Sequence, residues 1–162
     1  MTNYHELYTK YAGDVYRFAL FLCGNAAEAE EITAETFARA VTGKTPLVSA
    51  TVKGYLLTIA RNLHIEILRH RKRLTELTPE LPDSQPHLEH VVIQRAELEA
   101  LQIYLQTFPE VDRAALLLRV DGLPYDEIAN VLNISLASAK VKVHRLRLKL
   151  AEWRANRELP EI

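Results

Sequence analysis

Apolar positions recur at helical spacing along most of the chain, which predicts a protein built from α-helices alone. In the first stretch, residues 4–22, tyrosine and aliphatic side chains fall on one helical face. Asn25 followed by Glu28 resembles a capping box, so a second helix is expected over residues 25–41. A third apolar stripe covers residues 51–73, and Gly is scarce throughout. The fold class indicated is all-α.

The helical pattern stops after residue 73 and resumes near residue 91. The segment between them, residues 74–90, is acidic, aperiodic and rich in proline, so we interpret it as a flexible linker. The sequence therefore predicts two small helical domains, residues 1–73 and residues 91–157, joined by this Pro-rich linker.

Residues 123–150 have the pattern of a helix-turn-helix motif. Apolar residues recur at helical spacing as far as Leu132, and Asn133 with Ile134 then interrupts the pattern. Ser135 follows, and its hydroxyl is a suitable N-cap for a longer second helix. The C-terminal domain is therefore expected to contain two helices joined by a tight turn.

The second helix of this motif combines one apolar stripe with a basic surface. The stripe consists of Ala139, Val143, Leu146 and Leu150. The remaining surface carries Lys140, Lys142, His144, Arg145, Arg147 and Lys149. No acidic residue occurs between Glu127 and Glu152, whereas a solvated helix face usually interleaves acids that pair with bases one turn away. The pattern favours a DNA-reading helix, with an ordinary amphipathic helix as the alternative.

Composition narrows the classes of function. The formal net charge of −1 argues against a uniformly basic DNA-coating protein, but Lys and Arg concentrate in residues 61–73 and 140–157. Such asymmetry suits a protein that meets nucleic acid on two patches and a protein partner elsewhere. The lone Cys23 and the scattered His residues indicate no disulfide, metal site or catalytic constellation. We therefore expect a cytoplasmic binding protein without cofactor, enzymatic activity or membrane insertion.

Two surfaces of the first domain carry candidate binding residues. On the second helix, Glu28, Glu31 and Glu35 align at helical spacing, which indicates either a basic partner or a solvated acidic face. On the third helix, aromatic, hydroxyl, amide and guanidinium groups share one side, a mixture that single-stranded DNA recognition uses. These residues are Tyr55, Thr58, Arg61, Asn62 and Arg69. Half-buried packing of the tyrosine remains an alternative.

Residues 28–40, 54–63 and 108–145 form three segments with recognisable patterns. In this order, they resemble segments of the extracytoplasmic-function (ECF) group of bacterial sigma-70 family transcription initiation factors. Residues 28–40 are similar to the helix with which the family binds core polymerase, although Ala34 stands where Gln is common. Residues 54–63 are similar to the family's most specific signature, with Tyr55 in place of the common Trp. Residues 108–145 include segments that resemble the family's C-terminal promoter-reading domain.

For the first domain, the resemblance implies that it binds core RNA polymerase and reads the melted −10 strand. The polymerase beta-prime clamp would be held by Glu28, Glu31, Glu35, Thr36 and Arg39. The −10 strand would be read by Lys53, Tyr55, Thr58, Arg61, Asn62 and Arg69. The loop of residues 42–53, where many family members capture a flipped base, contains no aromatic residue here.

For the second domain, the resemblance implies that it reads the duplex −35 element and contacts the polymerase beta flap. The residues expected at the DNA are Ser138, Lys140, Val141, Lys142, His144, Arg145, Arg147 and Lys149. The partners implied are core RNA polymerase, promoter DNA and an anti-sigma factor. Two alternatives stay open, a stand-alone helix-turn-helix regulator and a sigma mimic that sequesters an anti-sigma factor.

Overall fold

A computed structural model describes residues 4–43, 51–77 and 93–158, and within these residues all regular structure is α-helical, as the sequence predicted. The helices are α1 (Tyr4–Cys23), α2 (Ala26–Thr42), α3 (Val52–Leu77), α4 (Ile93–Leu105), α5 (Glu110–Val120), α6 (Tyr125–Leu132) and α7 (Leu136–Glu158). The chain divides into two compact units, Met1–Thr107 and Phe108–Ile162.

The core of the first unit forms where α1, α2 and α3 pack on one another. Each helix contributes the apolar side of its periodic pattern, so that the stripes seen in the sequence meet in the interior. The fully buried large side chains are Val15, Phe18 and Leu22 from α1, Ile32 and Phe37 from α2, and Leu56, Leu57 and Ile59 from α3. This core fixes which sides of α2 and α3 face outward.

The start of α2 confirms half of the predicted capping box. The side-chain Oδ1 of Asn25 accepts a hydrogen bond from the backbone N–H of Glu28 at 2.9 Å, which satisfies one of the free donors at the helix start. The reciprocal interaction of a capping box is absent from the contacts of Glu28, whose carboxylate instead pairs with Arg71 of α3. Gly43 ends α2 with a positive φ of 65°, a conformation that glycine adopts without strain.

The third helix is longer than the sequence predicted. It was expected to end at Arg73, where the linker was expected to begin, but α3 continues to Leu77. The next helix breaker along the chain is Pro79, and residues 74–77, Leu-Thr-Glu-Leu, can continue the helix. The rest of the predicted linker, including Pro82 and Pro86, lies outside the described residues, as does the segment 44–50 between α2 and α3.

Helix α4 belongs to the first unit by its contacts. It packs against α1, and the side-chain amide of Gln106, just after α4, donates a hydrogen bond to the carbonyl of Leu22 at 3.1 Å. The sequence had assigned residues 91–107 to the second domain. Contacts divide the chain after Thr107, whereas the helical pattern predicted a second domain that begins at residue 91. The predicted domain boundaries therefore stay a prediction.

The second unit is a small bundle of α5, α6 and α7. Helix α7 packs against both α5 and α6, and these two also touch each other. Its buried apolar residues are Ala114, Ala115, Leu116, Leu117 and Leu118 from α5, Leu123 from the turn, Ile128, Ala129, Val131 and Leu132 from α6, and Ala139, Val143 and Leu146 from α7. Because α5 and α6 cover one side of α7, the opposite side of α7 is left exposed.

Candidate nucleic-acid interfaces

The second unit contains the predicted helix-turn-helix. Helix α6 ends at Leu132, and Asn133 caps it in the left-handed conformation with a φ of 55°. The N–H of Ile134 donates a hydrogen bond to the carbonyl of Ala129 at 3.0 Å. The hydroxyl of Ser135 accepts a hydrogen bond from the N–H of Ser138 at 3.0 Å, so Ser135 caps α7 as expected. The short turn and the cap together set the angle at which α7 leaves α6.

Packing of α7 leaves its basic side open. The predicted stripe is confirmed, since Ala139, Val143 and Leu146 are buried and Leu150 is half-buried. Exposed on the other side are Lys140, Val141, His144, Arg145, Arg147 and Lys149, which we call the basic face of α7. Val141 lies among these cations and the imidazole and is 45% exposed, and Leu148, two helical turns further along α7, is 53% exposed.

Two of the residues predicted to contact the −35 element are placed differently from the rest. The ammonium of Lys142 lies 3.3 Å from the carboxylate of Asp112 on α5, so its charge is used inside the unit and ties α7 to α5. Ser138 is half-buried in the first turn of α7. Both residues border the basic face of α7 without belonging to its exposed part.

In the first unit, the outward side of α3 carries the predicted mixture of groups. Asn62 and Arg69 are exposed, and Tyr55 and Arg61 are half-buried. Tyr55, Asn62 and Arg69 follow one another at seven-residue spacing, two helical turns, so they share one face of α3. We call these three residues, together with Arg61 at their flank, the α3 face.

Thr58 and Lys53 were also predicted to contact the melted strand, but Thr58 is buried and Lys53 is half-buried. Thr58 is 3% exposed, and its hydroxyl donates a hydrogen bond to the carbonyl of Gly54 at 2.7 Å. A side chain so buried cannot contact a base, so Thr58 is a packing residue. Lys53 is half-buried, with its ammonium 4.0 Å from the carboxylate of Asp14 on α1.

The acidic side of α2 is narrower than the sequence predicted. Glu28 is buried at 9% exposure and pairs with Arg71, because α3 brings a guanidinium to it. Thr36 is fully buried, and its hydroxyl bonds to the carbonyl of Ile32, so it cannot contact a partner protein. Of the carboxylates predicted to contact the polymerase, Glu31 and Glu35 remain exposed.

Arg39 connects α2 with α3. Its guanidinium donates two hydrogen bonds of 3.1 Å to the two carboxylate oxygens of Glu66 and one of 3.2 Å to Glu35. The hydrogen bonds that Arg39 donates to Glu66 raise the pKa of Arg39 above its ordinary value, and partial burial acts in the opposite direction. A residue predicted to bind polymerase thus also holds two helices of its own unit together.

Sequence reasoning missed a cluster at the start of α6. The guanidinium carbon of Arg119 lies 4.5 Å from the ring centroid of Tyr125, and the ammonium of Lys140 lies 6.0 Å from the same centroid. The three residues come from three different helices. Their spacing along the chain gives no periodic signal, so only the packed unit reveals that they meet.

The fold and these two surfaces define a helical protein with a helix-turn-helix in its C-terminal unit, and comparison with known proteins gives the family. Residues 7–74 match the family model described as Sigma-70 region 2, and residues 98–150 match the model described as Sigma-70, region 4.

None of the helices in the described residues combines the length and hydropathy needed to cross a membrane.

Several relatives match over most of this chain, among them two ECF sigma factors. The ECF RNA polymerase sigma factor SigE of Mycolicibacterium smegmatis is 33% identical over 161 residues, which cover 96% of this chain and 63% of that protein. The ECF RNA polymerase sigma factor SigM of Bacillus subtilis is 32% identical over 148 residues, which cover 90% of this chain and 91% of that protein. The chain belongs to the sigma-70 family of RNA polymerase sigma factors, in the ECF group.

A solved structure has a similar fold. The sigma factor RpoE of Bartonella quintana, crystallised in complex with the anti-sigma factor NepR, matches with a TM-score of 0.74 at 20% identity. The match covers 94% of this chain and 96% of that one. At this identity the likeness concerns the fold.

Proposed function

We propose that the chain binds core RNA polymerase and directs promoter-specific transcription initiation by reading a duplex −35 element and a melted −10 strand. The observation that supports the proposal is that one chain exposes two unlike surfaces, the basic face of α7 and the α3 face, whose side chains suit nucleic acid. The basic face of α7 suits duplex DNA, and the α3 face suits unpaired bases. Such a protein can hold duplex DNA in register while it stabilises separated strands nearby.

The proposed −35 contacts rest on the shape and charge of α7. A recognition helix fits the major groove of B-DNA, where each base pair presents a distinct pattern of donors, acceptors and methyl groups. Arg145 on this face can bond bidentately to a guanine, a contact worth about 1–3 kcal/mol of discrimination. Arg147 and Lys149 are suited to phosphates, which fix register without reading sequence.

The proposed −10 contacts rest on groups that only unpaired bases can use. Tyr55 offers a ring for stacking, which is worth about 1–3 kcal/mol per base, and the exposed amide of Asn62 can bond to a base edge. Arg61 and Arg69 supply charge for the phosphate backbone. Because stacking on Tyr55 and base-edge bonding to Asn62 need separated bases, the free energy of these two contacts favours the melted state over the duplex.

The proposed polymerase contact uses the exposed part of α2. Glu31 and Glu35 are available to a basic surface of the beta-prime clamp, and Arg39 lies beside Glu35. The beta flap is the proposed partner of the second unit. The polymerase performs the chemistry, so the role proposed for this chain is specificity and strand separation rather than catalysis.

An anti-sigma factor is a further proposed partner. The solved structure with a similar fold was obtained with an anti-sigma factor bound, which supports the idea that this fold can be held by such a protein. The proposed location is the cytoplasm, where polymerase and promoter DNA are found. A linker over residues 78–90, after the end of α3, is proposed to let the two domains reach two promoter elements.

The direct test is run-off transcription with purified core polymerase from the same organism. Templates would carry promoters identified by sequencing transcripts after overexpression of the chain. We expect a specific transcript only when core and chain are both present. A mobility shift at physiological salt should show tight promoter binding only with core added.

Other results would replace the proposal. Tight sequence-specific binding of the free chain, with no transcript from any template, would identify a stand-alone regulator. Binding to an anti-sigma factor without any transcript from core would identify a sigma mimic. In either case the proposal for the α3 face would be withdrawn, because that surface has a role only in a melted promoter.

A further inference from the structure

The cluster of Arg119, Tyr125 and Lys140 joins all three helices of the second unit at one aromatic ring. Arg119 lies near the end of α5, Tyr125 is the first residue of α6, and Lys140 follows the buried Ala139 on α7. The guanidinium of Arg119 also donates a hydrogen bond of 3.1 Å to the carbonyl of Leu123, which holds it beside the ring. The ring face attracts both cations through its quadrupole.

The ammonium of Lys140 lies over an aromatic ring, whereas the ammonium of Lys142 lies beside a carboxylate. Lys142 pairs with the carboxylate of Asp112, which neutralises it. In the part of the chain that the structure describes, neither Lys140 nor Arg119 has an ion pair with a carboxylate. An aromatic ring orients an ammonium but carries no net charge, so the positive charge of Lys140 stays available to an anion.

We propose that Tyr125 is a positioning residue that holds Lys140 toward the −35 duplex without neutralising it. The inference deepens the proposed function, on which it rests. A free lysine side chain must lose rotamer freedom when it binds a phosphate or base, and a lysine already held loses less. A carboxylate would hold the lysine too, but that ion pair would have to break before the DNA could be bound.

The contact itself can be measured without DNA. Ring currents should move the NMR signals of the Lys140 ε-methylene protons upfield in the free full chain. We expect the same upfield position in Tyr125→Phe, which keeps the ring, and ordinary positions in Tyr125→Leu. Ordinary positions in the unaltered chain would overturn the proposal, whatever the outcome for transcription.

The effect on DNA requires the holoenzyme and a −35 duplex of identified sequence. Tyr125→Leu should weaken binding by about 2- to 5-fold, as expected for loss of one cation–π contact, and Tyr125→Phe should bind as the unaltered chain does. In a Lys140→Ala background, Tyr125→Leu should cost less than it does in the unaltered chain, because the side chain it positions is gone.

Two results would overturn the positioning role. Equal losses for Tyr125→Phe and Tyr125→Leu would mean that the hydroxyl, not the ring, is what the DNA needs. Losses that multiply in the Tyr125→Leu/Lys140→Ala double variant would mean that the two residues act independently. If the unaltered chain forms no holoenzyme at all, the proposed function fails, while the NMR measurement still decides whether Tyr125 holds Lys140.

Discussion

Val141 is an apolar side chain among the cations and the imidazole of the basic face of α7, and it is 45% exposed. A ligand that binds this face can therefore contact Val141. In the major groove, the group that suits an exposed valine is the methyl of thymine. We therefore predict that Val141 contacts a thymine of the −35 element. Replacing that thymine by deoxyuridine, which removes only the methyl, should weaken holoenzyme binding by about 4-fold.

The control for this prediction is the Val141→Ala variant. Since its shorter side chain does not reach the methyl, the variant should bind the thymine and deoxyuridine duplexes with similar affinity. Scanning each −35 thymine in turn tests the prediction without knowing the register. Insensitivity of the unaltered chain at every thymine would remove Val141 from the base contacts.

Asn62 has an exposed amide on the α3 face, next to Arg61 and two helical turns from both Tyr55 and Arg69. We predict that Asn62→Ala lowers the equilibrium constant for open-complex formation about 5- to 150-fold while leaving −35 duplex binding unchanged, since about 1–3 kcal/mol is lost only in the melted state. Permanganate footprinting measures the melted thymines, and a mobility shift measures binding to the −35 duplex. Normal melting in the variant would contradict the assignment.

At the scale of a single helix, the stability of α7 depends on its N-cap, Ser135. Ser135→Ala removes the hydrogen bond to the N–H of Ser138 and should lower the free energy of unfolding of the second unit by about 0.5–2 kcal/mol. Trp153, the one tryptophan of the chain, lies on α7, so its fluorescence during urea unfolding reports on this helix. The expected result is a lower urea midpoint with an unchanged slope.

The matched variant is Asn25→Ala, which removes the equivalent cap from α2 in the first unit. If the two compact units unfold separately, Asn25→Ala leaves the Trp153 transition where it was. A shift as large as that of Ser135→Ala would mean that the units unfold together. No shift in Ser135→Ala itself would mean that other contacts hold the start of α7.

The sequence predicted the positions of the helices more accurately than it predicted which of their side chains neighbouring helices bury. Helical spacing and the capping residues located α1, α2 and the helix-turn-helix to within a few residues, because these signals are local. Periodicity assigns a residue to a face but cannot show which neighbouring helix packs there. Glu28 was therefore expected outside, yet Arg71 of α3 pairs with it, and Thr36 and Thr58 were assigned to binding surfaces although both are buried.

For the whole molecule, the proposed function makes initiation depend on the distance between two DNA elements. An insertion of about 5 base pairs between them turns the −35 element by about half a helical turn and moves it by about 17 Å. We predict that this insertion abolishes run-off transcription although the affinity for the isolated −35 duplex does not change. The reason is that both surfaces must be occupied on one DNA molecule by one holoenzyme.

The same templates separate the proposed function from a stand-alone regulator. A regulator that binds only through the basic face of α7 needs no second element at a fixed distance, so its DNA binding is indifferent to the insertion. A sigma factor instead loses open complex formation, because free energy from the α3 face is gained only if the −10 bases reach it while the −35 contacts are made. Transcription that persists at full strength with the half-turn insertion would therefore refute simultaneous reading of the two elements, even if each surface binds DNA when tested alone.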